Sequence, residues 1–328
     1  MILYIKGGIC LAQAKPIVME IKANMKIKEE KVRPKSSKKN LKKNLIAYSF
    51  ILPNFLGFAI FTLIPMIFAL ALSFLNWDGS NPITFAGLDN FKHLFKDSTF
   101  KIAMFNTFYY AVGTVPLTLI ASLGIAILLN KKIFARNFFR TVFFFPYVAS
   151  LIAVAVVWNT IFNPTMGIVN SFLVSIGIAN PPGWTSSTVW AMPVIIFVSI
   201  WKNMGYYMVI YLAALQGIPT DLYEAASLDG ASAWQKFKNV TLPMLTPTTF
   251  FVSIMLTISC FKVFDFVYLM TQGGPGRSTA VLVYHIYNTA FKEFAYGYSS
   301  AMSMVLFAIV LIITIFQFRA EKKWVSYM

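Results

Sequence analysis

The chain has 328 residues, of which 58% are hydrophobic and 12% charged, with a net charge of +16. Soluble domains average about 45–50% apolar and about 25% charged, so one water-soluble core is excluded and a bilayer becomes the solvent. The positive charge does not mark a nucleic-acid binder: residues 1–44 hold twelve Lys/Arg against three Glu, and no folded segment carries a basic stripe interleaved with exposed aromatics.

Residues 1–44 form the first predicted element, a basic tail drawn to anionic lipid. "MILYIKGGICLAQA" is too short and too broken by Lys6 and two glycines for a signal peptide. "KIKEEKVRPKSSKKNLKKN" is charged and poor in bulky apolar residues, which predicts disorder. A translation start at Met19 or Met25 is an alternative that the intact mass of the native protein would settle.

Six apolar runs follow, each long enough to span. They are 45–75, 102–129, 141–161, 189–215, 248–270 and 299–318. Pro53, Gly57 and Pro65 predict a kink in the first, and Arg319 bounds the last. Six spans put both termini on one side. The flanks on that side hold 21 Lys/Arg and the other side's hold five, so both termini are expected in the cytoplasm. The fold class is all-α, a polytopic membrane protein with six transmembrane helices: tail 1–44, membrane domain 45–320 with a cytoplasmic loop at 216–246, and C-terminal tail 321–328.

Cys10 and Cys260 are far apart, as are His93 and His285, so neither a disulfide framework nor a metal site is expected. "GGPGRST" (273–279) lacks the lysine and spacing of a phosphate loop and reads as a tight external turn. Its Arg277 meets a partner or is merely solvated. Lys202, Lys262 and Asp265 are the ionisable residues inside spans, where such groups face a bundle interior or a water cavity. Lys262 and Asp265 are three apart and would share a helix face, either as a pair or as path-lining groups. "WKNMGYYMVIY" in span four adds Asn203, Gly205, Tyr206 and Tyr207, a mixture of amide, aromatic and close backbone suited to contacting a solute.

The loop "PTDLYEAASLDGASAWQKFKNVTLPML" (219–245) reads as two short helices. Pro219 suits a helix start. Asp221 with Glu224, and Ser232 with Gln235, have capping-box spacing. Gly230 supplies the left-handed stop. Trp234, Phe237 and Val240 form an apolar stripe. A DNA-reading helix–turn–helix would need more base-contacting cations than Lys236 and Lys238.

Within it, Glu224-Ala225-Ala226, Gly230, Val240 and Leu242-Pro243 stand at the spacing of the EAA motif, with Val in place of the commoner Ile. The chain thereby resembles the permease subunits of binding-protein-dependent ABC importers. "SFLNWDGSNPITFAGLDNFKHLF", "FDFVYLMTQGGPGRST" and "YHIYNTAFKEFAYGYSSAMSMVLF" are similar to segments of the carbohydrate-uptake branch, related to maltose and glycerol-3-phosphate permeases but without the maltose permease's extra spans and external insert. About residues 45–320 are covered.

The resemblance implies the type I ABC importer permease fold and ATP-driven import of a sugar, either a mono- or oligosaccharide or a related polyol phosphate. It implies no ATP site of the chain's own, no cofactor and no metal. Its implied partners are a second homologous permease, two ATP-binding cassette subunits, an extracytoplasmic binding protein and the lipid of a bacterial or archaeal plasma membrane. It casts Glu224, Ala225, Ala226, Asp229, Gly230, Ala231, Leu242 and Pro243 as the ATPase-coupling surface. Asn203, Gly205, Tyr206, Tyr207, Lys262 and Asp265 become the substrate pathway. The alternative is an ion-coupled secondary transporter, which would need inverted repeats and buried carboxylates, of which Asp265 is the one candidate. A membrane enzyme would need a His, Asp/Glu or Ser/Lys cluster at span ends, and the sequence has none.

Overall fold

The computed structural model describes residues 38–131 and 133–324. The chain forms two compact units, Met1–Met66 and Ile67–Met328; of the tail 1–44 expected to be disordered, 1–37 lie outside the described residues and 38–44 are helical instead. In the first unit, α1 (Lys38–Phe58) begins seven residues before the expected span, because Lys and Leu are good helix formers and no proline follows Pro34 until Pro53. The helix passes Pro53 unbroken. Its irregularity is a π-turn at Ala59–Leu63, just ahead of Pro65, where the proline ring cannot accept an α-helical register. α2 (Ile64–Leu72) follows. The side chains of Leu45, Phe50 and Phe61 are exposed, as expected for a helix facing lipid.

In the second unit a two-strand hairpin comes first, β1 (Leu75–Asn76) pairing antiparallel with β2 (Thr84–Phe85). Then come α3 (Asp89–Lys96), α4 (Ser98–Asn130), α5 (Arg136–Val148), α6 (Leu151–Ile161) and α7 (Ile168–Ser175). α8 (Ala191–Gln216), α9 (Thr220–Leu228), α10 (Ala233–Lys236), α11 (Leu242–Met244) and α12 (Thr246–Phe261) follow. The last two are α13 (Leu282–Phe291) and α14 (Tyr296–Trp324). Among the described residues four helices are long and apolar enough to cross a membrane, or up to six spans if each of two bent pairs counts as one.

α4 and α8 form the spine. Ala103, Thr107, Ala111, Thr114, Thr118, Ser122 and Ala126 recur every three or four residues along α4, and all are buried. Small side chains at that spacing let backbones approach closely where lipid offers no hydrophobic drive between helices. The apolar interior falls into two clusters. One gathers Phe100, Tyr110, Ile195, Phe261, Val281 and Met302. The other gathers Leu129, Met208, Tyr211, Leu215, Leu245 and Val252, with Leu222 and Tyr223 of α9 leaning on it.

Three expected spans differ in detail. The run 141–161 is not one rod: α5 and α6 meet at 98° across Ala149–Ser150. α5 contains Pro146, and its last carbonyls are taken by Lys202 from α8 rather than by a continuing helix. The run 248–270 is helical only to Phe261; a break at 262–264 precedes a π-turn at Val267–Thr271. α14 continues through Arg319 to Trp324.

Candidate functional site

Where the two apolar clusters meet, α4, α8 and the break after α12 enclose a cavity of ≈ 220 Å³. Asn203, Tyr207, Lys262 and Asp265 line it, together with Tyr110, Thr114, Tyr147 and Ser199. Helical geometry explains which residues of "WKNMGYYMVIY" arrive there. Residues 199, 203 and 207 are four apart and share a face. Gly205 and Tyr206 lie instead against α5: a Cβ on Gly205 would stand 1.8 Å from the Phe143 carbonyl oxygen, and the Tyr206 ring stacks on Tyr147 at 4.5 Å.

The polar groups of the cavity are partly committed. The Asn203 amide nitrogen donates to the Ser199 carbonyl at 2.8 Å. Tyr110 and Ser199 hydroxyls bond each other across the α4–α8 contact. Lys202, 8% exposed, also lines the cavity, but its ammonium is already committed. Its Nζ donates to the carbonyls of Pro146, Tyr147 and Ala149 at 2.9, 3.2 and 2.8 Å. A cation on the last carbonyls of α5 satisfies orphan acceptors and the negative end of the helix dipole together.

Lys262 and Asp265 do not share a helix face, and no ion pair joins them, unlike Lys92–Asp89 and His285–Asp97. The chain leaves the helix at Lys262 and re-enters it at Asp265. Each charge therefore sits at the helix end that favours it, lysine at a C-terminus and aspartate at an N-terminus. Both side chains are exposed at the cavity.

The loop after α8 is a helix–turn–helix. α9 ends at Leu228, and Gly230 turns the chain at φ +72° with its amide on Ser227 O and that of Ala231 on Ala226 O. Ser232 and Gln235 make the reciprocal capping box. Asp221 is not a cap. Pro219 occupies the N-cap position, so α9 starts two residues earlier than the acid spacing predicts, and Asp221 contributes only its charge to the first turn. The stripe Trp234–Phe237–Val240 is interrupted by a π-turn at Phe237–Thr241, which leaves Trp234 two-thirds exposed.

Glu224, Ala225, Asp229 and Gly230 are exposed, whereas Ala226, Ala231, Leu242 and Pro243 are half-buried. Leu228, 90% exposed, joins Glu224 and Trp234 on this surface. It was findable as the one large aliphatic between the alanines and the turn. The loop is tied to the membrane helices through Tyr223, whose hydroxyl meets Thr241 Oγ1 at 2.9 Å, and through the second apolar cluster.

At the opposite end three segments converge on Asp97. It caps α4 by accepting from the Thr99 amide at 2.7 Å, and it accepts from Tyr298 of α14 at 2.8 Å and His285 of α13 at 3.2 Å. Burial pushes the carboxyl up, but the bonds from Tyr298, His285 and the Phe100 and Thr99 amides outweigh it and hold Asp97 below its ordinary 3.8. His93, remote in sequence from His285, packs edge-on against Tyr298 at 4.7 Å, and both histidines line one cavity. Arg277 is not free in solvent: it donates to Thr99 and Ser98 hydroxyls at 2.9 and 3.2 Å. Asn106 donates to the carbonyls of Arg277 and Ala280, pinning the 273–280 turn to α4. Among the described residues no group of three His, Cys, Asp or Glu is placed to hold a metal.

Comparison with known proteins adds three findings. The family model "binding-protein-dependent transport system inner membrane component" matches residues 114–325. A probable ABC transporter permease of Bacillus subtilis, YesP, is 39% identical over 89% of this chain and 96% of its own. AmyD of Thermoanaerobacterium thermosulfurigenes, a probable permease for starch degradation products, is 35% identical over 87% of this chain and 97% of its own. Among solved structures, a bacterial alginate ABC transporter in complex with an alginate pentasaccharide-bound periplasmic protein superposes with a TM-score of 0.76. That match has 26% identity and covers 87% of this chain and 96% of that one.

Proposed function

Because the chain belongs to the binding-protein-dependent transport system inner membrane components, we propose that it is the membrane-spanning subunit of an ATP-driven sugar importer. Relatives named for starch products and alginate support a saccharide cargo. As a permease subunit it leaves ATP hydrolysis to separate ATPase subunits. Two of these, a second homologous permease and an extracytoplasmic binding protein complete the assembly. Charge asymmetry supports cytoplasmic termini in a bacterial or archaeal plasma membrane. The same reading divides the chain into a basic tail (1–44), the permease domain (45–320) and a short C-terminal tail (321–328).

The observation that carries this reading is the α9–α10 pair. It presents Glu224, Ala225, Leu228 and Trp234 outward, while Leu222 and Tyr223 rest on the cluster that holds α8 and α12. A partner gripping the outer face moves those spans as one piece. The cavity at the cluster boundary is then the substrate path, opened alternately to each side by two packings of the same helices. Tyr207 offers a ring face, Asn203 an acceptor, and Lys262 and Asp265 a donor and an acceptor for sugar hydroxyls.

The test is uptake measured beside ATP hydrolysis in the reconstituted assembly. Glu224→Lys and Gly230→Val insert normally and lose uptake, and the binding protein no longer stimulates hydrolysis. At Gly230 no atom lies within 4 Å of an added Cβ, so the cost is backbone strain alone, about 1 kcal/mol for alanine and more for a β-branched residue. Normal uptake in both variants would sink the coupling role. An ATPase that does not co-purify with the wild-type chain would sink the importer reading.

A further inference from the structure

The basic start of α5 has no role in the path or the coupling loop. Arg136 and Arg140 stand one turn apart, both half-buried. Neither meets a carboxylate among the described residues, and Arg136 Nε is enclosed without a hydrogen-bond partner. Arg140 lines a cleft of ≈ 380 Å³ between α5 and α8, with Asn137 and Thr141 beside it and Phe144 and Val209 completing the wall. This cleft opens one turn beyond the point where Gly205 lets α8 touch the Phe143 backbone.

The surroundings identify the occupant. Phe134, just before α5, and Phe138 and Phe145 within it are 96, 64 and 67% exposed, an apolar surface suited to acyl chains. Two unpaired guanidinium groups at that boundary are costly unless an anion answers them. Their planar forks match phosphate oxygens, and the first amides of α5, without a side-chain cap, add to the positive field. The cleft is thus cationic at the mouth and apolar on the wall, the complement of an amphiphile. We propose that it binds the phosphate of an anionic phospholipid, with Arg140 holding the phosphate and Arg136, one turn away and outside the lining, adding its positive charge, Asn137 the headgroup hydroxyls, and Phe144 and Val209 the first methylenes of an acyl chain.

The test uses the full-length chain in nanodiscs and a photoreactive phosphatidylglycerol, with the labelled peptide mapped by mass spectrometry. The label is expected on residues 133–148. Unlabelled phosphatidylglycerol displaces it, while phosphatidylcholine and millimolar inorganic phosphate do not. Arg136→Gln with Arg140→Gln lowers labelling there roughly ten- to thirtyfold, the loss expected for two cations facing an anionic surface. Arg140→Lys, which keeps charge and loses the fork, gives an intermediate loss. The wild-type competition needs no variant and decides the matter if the double variant does not fold. Equal displacement by phosphatidylcholine overturns the proposal, as does displacement by inorganic phosphate, which would mark a soluble-anion site. Absence of label on α5, including its protection by a bound partner subunit, overturns it as well.

Discussion

Gly205→Ala perturbs the contact that holds α8 against the bent α5. The added Cβ would stand 1.8 Å from Phe143 O, 2.6 Å from its carbonyl carbon and 2.9 Å from Phe144 Cα. These are backbone atoms and cannot rotate away. Ordinary contact begins at 3.4 Å, so the helices must part by about 1.6 Å, more than the 0.5–1 Å gap that already forfeits a quarter to a half of the dispersion energy. The same movement stretches the three Lys202 bonds, now 2.8–3.2 Å, to or beyond the limit of useful geometry. Overpacking costs about 1–3 kcal/mol, and weakening bonds from a cation adds a similar amount, giving about 3 kcal/mol or more. Thermal unfolding in detergent, read by a thiol-reactive dye on buried Cys260 in a Cys10→Ser background, should show a midpoint lower by about 5–10 °C. Gly124→Ala, where nothing lies within 4 Å of the new Cβ, is the control and should not destabilise. A Gly205→Ala midpoint within about 1 °C of wild type would refute the close-contact argument.

Lys202→Met strips three carbonyls at the end of α5 of their donor and should cost about 2–4 kcal/mol, seen as a lower unfolding midpoint and as faster proteolysis between α5 and α6. Asp97 has a depressed carboxyl pKa, so its contribution is full above 3.8 and is lost as pH falls below that value through the depressed one. Asp97→Asn should therefore remove that acid-dependent step from a stability–pH profile, and a step of equal size in the variant would refute the assignment. Alanine at Asn203, Tyr207 or Lys262 should raise the substrate concentration needed for half-maximal uptake by about threefold to thirtyfold, the loss of one to two hydrogen bonds or a stacking face. Three unchanged uptake curves would remove the cavity from the path.

Apolar run length made the spans legible, and local chemistry made the helix–turn–helix at 219–245 legible: Gly230 and the Ser232–Gln235 box act within a few residues of themselves. The break at Ala149 was only half visible. Pro146 marks a weak point, but the 98° turn depends on a lysine 53 residues further along reaching the exposed carbonyls. Span four was read as one polar motif, although a 100° step per residue sends Asn203 and Tyr207 to the cavity and Gly205 and Tyr206 to α5. The shared helix face expected of Lys262 and Asp265, on which pairing was one of two options, assumed an unbroken helix, which the break at 262–264 removes. Asp97, His285 and Tyr298 come from three segments, and nothing local to any of them signals the others. The small-residue stripe of α4 was in plain view as a four-residue spacing of Ala, Thr and Ser.

The division of the interior into two apolar clusters decides where this molecule yields. A single interlocked core resists sliding, because any displacement pulls close-packed side chains out of their holes. Here the boundary is furnished with hydroxyls, an amide and three ionisable side chains beside Leu151 and Leu256 around a cavity. Moving one cluster past the other exchanges polar contacts there for others that water or a sugar can supply. On the proposed function, the resistance to shear would be lowest along the plane where cargo would sit, and a pull applied at Glu224 would be spent there rather than on deforming either block.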